Sequence, residues 1–184
     1  MGAGIAHAFL IAGARVRVIE RDDAAADAAR ERVERDVDAS LSRGIIDGDR
    51  GDWLSELTVE IDQAAFADCE LVIEAVPEDR ALKVALLQSV ESHLGDGARS
   101  ASNTSSISID ALGGELRHPE RFLGLHFFNP VPASKLVEVV EGVATSDELR
   151  AMAPQLMRDM VARGELGRKT GKGFYDYSEE PSSR

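Results

Sequence analysis

The chain has 184 residues, 43% of them hydrophobic and 29% charged, with a net charge of −12. That profile suits one soluble globular domain with a sizeable core. It argues against non-specific nucleic-acid binding, and no apolar run is long enough to span a bilayer.

Residues 2–13 form the first predicted helix, stopped by Gly13. The apolar start carries no basic leader, so it is not read as a signal peptide. Arg15–Glu20 alternates as a strand should. Asp22 or Asp23 then caps a long, highly charged helix reaching about Arg43. Gly44–Asp52 reads as a Gly/Asp-rich loop and Leu57–Ile61 as a short strand. Cys69, the one cysteine, stands between Asp68 and Glu70 and is expected to be buried filler with a disfavoured thiolate. Glu70–Val76 has almost no polar alternation, which predicts a strand buried on both faces. Pro77 ends it, and Asp79–Leu94 has helical periodicity. Ala98–Ser102 leads into a hydroxyl cluster, SNTSS, at Ser102–Ser106. Phe122–Phe127 and Leu136–Val140 are further strands, Ser146–Arg163 a helix, and Leu166–Tyr177 a Gly- and Lys-rich tail. Helices alternating with strands imply an open, mostly parallel α/β sheet, whose ligands sit at the carboxyl ends of the strands.

Two groups of residues suggest chemistry at those ends. Gly2 and Gly4 open the first helix, and Glu20 closes the next strand. Dinucleotide-binding folds rest a pyrophosphate on such a helix start and hydrogen-bond a ribose through such a carboxylate. Glu20 favours NAD over NADP, although Arg17 and Arg21 stand nearby. The second group is Ser105, His126, Asn129 and Glu138. Oxidising an alcohol takes a hydride acceptor and a base for the hydroxyl proton. A histidine held by a carboxylate can be that base. Ser105 could bond the substrate oxygen, and Asn129 could orient the cofactor. Structural readings stand beside these: His126 as a core residue, SNTSS as a helix cap on Asn103 or Ser105, and Glu138 as an exposed strand residue. No Cys/His pair has metal-site spacing.

The stretches GAGIAHAFLIAG, LVIEAVPEDRALK, SNTSSISI, RFLGLHFFNPVPASKLVEVV and LGRKTGKGFYDY together resemble the 3-hydroxyacyl-CoA dehydrogenases, including the 3-hydroxybutyryl-CoA dehydrogenases. The resemblance implies a Rossmann-like, mostly parallel sheet with helices on both faces. It also implies NAD as cofactor, an acyl-CoA substrate, and reversible oxidation of a (3S)-3-hydroxyacyl-CoA to a 3-oxoacyl-CoA. His126 matches the family's general acid/base, Glu138 its partner, and Ser105 a substrate and cofactor contact. Glu20, Glu78, Lys83, Asn129 and Lys169 match NAD contacts, and Arg43 falls near a coenzyme A contact. A cytoplasmic role in fatty-acid β-oxidation or butanoate-type metabolism follows from the same resemblance.

The chain also departs from the family pattern. No strand precedes Gly2, and after Gly142–Ala153 it passes to PQLMRDMVARGELGRKTGKGFYDY, where the family has a further strand, a D-x-P-G-F-x-x-N-R segment and a helical domain that carries the dimer interface. The expected organisation is therefore an NAD-binding domain over 1–145, lacking its first strand, and a helix and tail over 146–184 left from an all-α domain. Phe127, Val131 and Phe174–Tyr177 are expected to be exposed, the chain to be destabilised, and its activity weak. An inactive or partner-dependent remnant and a related hydroxy-acid or sugar-acid dehydrogenase are the alternative readings.

Overall fold

A computed structural model describes residues 1–131 and 136–152. In chain order its elements are α1 (Gly2–Ile11), β1 (Val16–Ile19), α2 (Asp23–Ser42), α3 (Arg50–Ser55), β2 (Leu57–Glu60), β3 (Leu71–Glu74), α4 (Arg80–Glu91), β4 (Arg99–Ser102), α5 (Ile109–Gly113), β5 (Phe122–Phe127) and β6 (Val137–Val140), with 3₁₀ turns over Gln63–Asp68 and Pro119–Arg121. β1 and β2 pair in parallel as one sheet. β3, β4 and β5 run parallel in a second, and β6 joins its edge antiparallel to β5. The result is the expected mixed α/β, Rossmann-like architecture.

Helix α1 is apolar nearly all round, and it is buried accordingly. Ile5 and Ala8 pack with Ala101, Leu123 and Leu125 of the four-stranded sheet. Ala6 and Leu10 pack with Val33, Val37 and Leu57 beside the two-stranded sheet. Gly13, at φ +87°, lets the chain turn out of α1 into β1. Helix α2 turns Ala29, Val33 and Val37 inward while its charged face meets solvent. Asp22 caps it, accepting from the Ala25 amide at 2.8 Å.

Gly124 is required by packing. A Cβ there would come within 2.9 Å of Ile109 Cδ1 and 3.0 Å of Val140 Cβ, so the close seating of α5 on β5 and β6 depends on its absence. Among the described residues no helix is long and apolar enough to cross a membrane.

Three expectations are corrected. The Gly44–Asp52 loop gives way to α3 from Arg50, because Asp49 accepts from the Gly51 amide and caps it, and Arg50 then pairs with Glu34 and Asp38 of α2. Strand β3 is shorter than Glu70–Val76, and only Val72 and Glu74 are fully buried. Phe127 and Val131 are not exposed, since they lie in one buried apolar cluster with Ile5, Ala8 and Leu149. Leu149 lies in a helix that begins at 147 and packs on the sheet domain. The rest of the 146–184 segment, with Lys169 and Phe174–Tyr177, lies outside the described residues from 153 onward.

Candidate active site

The carboxyl ends of β3, β4 and β5 converge on one set of polar side chains. His126 and Glu138 are directly opposed partners in the antiparallel β5–β6 pair, so their side chains stand on the same face. His126 Nδ1 lies 2.8 Å from Glu138 Oε2, and His126 Nε2 lies 3.0 Å from Ser105 Oγ. A carboxylate only accepts, so Nδ1 carries the hydrogen and Nε2 presents its lone pair toward Ser105. The imidazole is mostly sheltered and the Glu138 carboxylate half exposed. The Phe128 ring lies against the imidazole with centroids 4.5 Å apart.

Ser105 is held by the loop after β4. Glu78 Oε1 accepts from the Ser105 amide at 3.0 Å, the Ser106 amide at 3.0 Å, Thr104 Oγ at 2.6 Å and Ser106 Oγ at 3.1 Å. Partial burial pushes the Glu78 carboxyl upward. The Thr104 and Ser106 hydrogen bonds and the Lys83 charge together outweigh burial and lower it to about 2. The helix cap expected of Asn103 or Ser105 belongs instead to Ser108, which accepts from the Ala111 amide. Asn103 has a task that sequence reading missed. Its amide donates to the Glu74 carbonyl at 2.8 Å, and its Oδ1 accepts from the Phe127 amide at 2.7 Å. It thereby ties the ends of β3, β4 and β5 together one residue from His126. The only signal in the sequence was an amide side chain at the end of a strand.

Lys83, expected from the resemblance to meet the cofactor, is engaged inside the protein. It is 1% exposed, and its Nζ donates to both oxygens of Glu74, at 2.8 and 3.0 Å, and to the Val76 carbonyl at 3.1 Å, with Glu78 Oε2 at 3.4 Å. Asn129 is exposed in the turn after β5, just beyond Phe128.

The other side of the crevice is built from backbone and helix ends. Gly2 is exposed at the start of α1, and its nearest neighbour in the direction of a side chain is Ala75, just past the end of β3. The amides of Gly2, Ala3 and Gly4 are first-turn groups without intrahelical acceptors. Glu20 follows the end of β1, its amide bonded to the Glu60 carbonyl, and its carboxylate makes no hydrogen bond or ion pair among the described residues. Arg17 is committed to the Ala65 carbonyl and Glu60, and Arg21 to Asp22. A helix start that offers amides and an open carboxylate on the next strand fit a dinucleotide. Arg43 caps the far end of α2, exposed. Cys69 is half-buried, and burial raises its thiol, with Asp68 and Glu60 adding to the effect and Arg17 opposing it.

Comparison with known proteins identifies the family. Residues 1–164 match the family model described as the NAD-binding domain of 3-hydroxyacyl-CoA dehydrogenase. A 3-hydroxybutyryl-CoA dehydrogenase of Mycobacterium tuberculosis is 35% identical over 176 residues, which are 95% of this chain and 62% of that protein. The crystal structure of FadB2 from M. tuberculosis superimposes with a TM-score of 0.83 at 36% identity, over 88% of this chain and 57% of that one. The (S)-3-hydroxybutyryl-CoA dehydrogenase PaaH1 of Ralstonia eutropha gives 0.80 at 26% identity, over 97% of this chain and 96% of that one. The chain thus spans under two thirds of the curated relative's length. It belongs to the 3-hydroxyacyl-CoA dehydrogenase family, and residues 1–164 correspond to that family's NAD-binding domain.

Proposed function

We propose that this chain interconverts (3S)-3-hydroxyacyl-CoA and 3-oxoacyl-CoA with NAD, His126 serving as the acid/base. The observation that carries this is the pair of contacts Ser105 Oγ–His126 Nε2 and His126 Nδ1–Glu138 Oε2. Glu138 holds the imidazole in one tautomer and stabilises the imidazolium that forms when Nε2 takes the substrate's hydroxyl proton. Ser105 Oγ lies beside that nitrogen, where it hydrogen-bonds the substrate oxygen in either direction of the reaction. In reverse, the imidazolium returns its proton to the carbonyl oxygen. NAD, when bound, supplies the hydride acceptor. Gly2 and Gly4 at the start of α1 seat its pyrophosphate, Glu20 meets the ribose, and Asn129 stands on the nicotinamide side. Arg43 and Lys169 are assigned by resemblance alone, to coenzyme A and to NAD.

The family's relatives act on 3-hydroxybutyryl-CoA by name, which makes acetoacetyl-CoA the first substrate to try. With NADH in excess, loss of NADH absorbance is expected with acetoacetyl-CoA and not with free acetoacetate, and His126→Ala is expected to slow it about 10³-fold. Equal rates with the free acid, or an unimpaired His126→Ala, would overturn the proposal. The assignment to a cytoplasmic fatty-acid or butanoate pathway belongs to the same proposal.

A further inference from the structure

Glu74 and Lys83 form an ion pair in the interior of this domain, 3% and 1% exposed. Every hydrogen-bonding position on the pair is used. Glu74 Oε1 accepts from the Val76 amide at 2.6 Å and from Lys83, and Oε2 accepts from Lys83 and from Ser102 Oγ at 2.6 Å. Lys83 completes its three donors with the Val76 carbonyl, and its charge also faces the Glu78 carboxylate at 3.4 Å.

A buried ion pair is a poor device for stability, because desolvation costs about as much as the attraction returns. Apolar residues of the same volume often serve as well or better. Its placement gives another reason for it. Glu74 ends β3, Ser102 ends β4, and Lys83 sits in the first turns of α4. Among the described residues, the outward connection made by charge from this buried point is Lys83 to Glu78, and Glu78 in turn holds the amides of Ser105 and Ser106. Without Lys83, one carboxylate oxygen would accept four hydrogen bonds with no buried counter-charge to fix it.

We propose that Glu74, Lys83 and Ser102 are positioning residues: a buried ionic unit that holds Glu78, and through it the Ser105–Ser106 segment, in place beside His126. The value of that placement to a cofactor rests on the function proposed above. The placement itself does not, and it can be measured without cofactor.

The test is amide hydrogen exchange on the full chain, comparing wild type, Lys83→Met and the double variant Glu74→Gln/Lys83→Met. The double variant removes both charges and so avoids a lone buried carboxylate. It is expected to recover melting temperature relative to Lys83→Met while Ser105 and Ser106 still exchange about tenfold faster than in wild type, with Ala101 in the sheet unchanged. A purely structural role predicts the opposite, in which loop protection returns together with stability, and that result overturns the proposal. Should neither variant fold, Glu78→Gln decides. It is expected to shift the Lys83 Nζ resonance and to expose the two serine amides with the core intact, and an unmoved Nζ resonance overturns the link. NADH titration of the same proteins then reads the functional consequence, expected as about tenfold weaker binding in the double variant. Unchanged NADH binding with a loosened loop would overturn the functional part of the proposal. A wild-type chain that takes no NADH would instead count against the proposed function, while the exchange result still decides the positioning.

Discussion

The two sides of the crevice are held together by different means. On the β3–β6 side, side chains are linked one to the next: Glu74 to Lys83, Lys83 to Glu78, Glu78 to the Ser105 amide, Ser105 to His126 and His126 to Glu138. On the α1–β1–α2 side the contacts are apolar packing, and the notable polar link is His7 Nε2 to Ser40 Oγ at 2.9 Å, both residues buried. The difference matches the two tasks proposed for them. Proton transfer fails if a donor moves by an ångström, so its groups are over-determined. A dinucleotide is held over a long surface by backbone amides and one carboxylate, and an apolar frame is enough to present them.

The sharpest way to break this contrast is at His126. Replacing it with alanine is expected to lower turnover about 10³-fold, the scale of a lost general base, measured as NADH consumption with acetoacetyl-CoA. An equally large effect from a residue of the α1 side would erase the distinction. Next comes Lys83→Met, which strands the buried Glu74 carboxylate and is expected to cost about 3–5 kcal/mol in urea unfolding. Glu20→Arg should act on cofactor choice alone, moving preference from NADH toward NADPH by about tenfold.

The smallest expected effect lies at His7. Burial holds its imidazole below the ordinary value of 6.5, against the opposing pull of Asp36. The folded state therefore favours neutral His7, and the unfolded state takes up the proton first as pH falls. This contribution to stability is complete above the ordinary value and is lost as pH falls through the lowered one. His7→Gln is expected to flatten that part of a plot of melting temperature against pH. Glu78 acts in a lower window. Its stabilising share is whole above 4.5 and disappears as pH drops through about 2. Glu78→Gln should remove that acid limb and leave the His7 limb in place.

Much of the site was legible in sequence because strand spacing constrains it. His126 and Glu138 lie twelve positions apart across a strand–loop–strand segment, and antiparallel pairing puts them face to face. The place of Glu20, just after the alternating strand β1, was legible for the same reason. The buried pairing of Lys83 was not legible, because nothing local tells a buried lysine from a solvated one. Its partner Glu74 is nine positions away and turns inward only once β3 is covered. Asn103 was missed for the same reason, since its partner, the Phe127 amide, is set by the pairing of two distant strands. Helix α3 was hidden by its glycine and aspartates, which read as loop until Asp49 acts as a cap and Arg50 finds α2.

Helix α1 has a further consequence. It presents Ile5 and Ala8 to one sheet and Ala6 and Leu10 to the other, so a single apolar cylinder cements both. Neither sheet can loosen without wetting that cylinder. Heat should therefore release the two together, with the emission of Trp53, packed beside the smaller sheet, and the ellipticity of the whole chain collapsing at one common temperature.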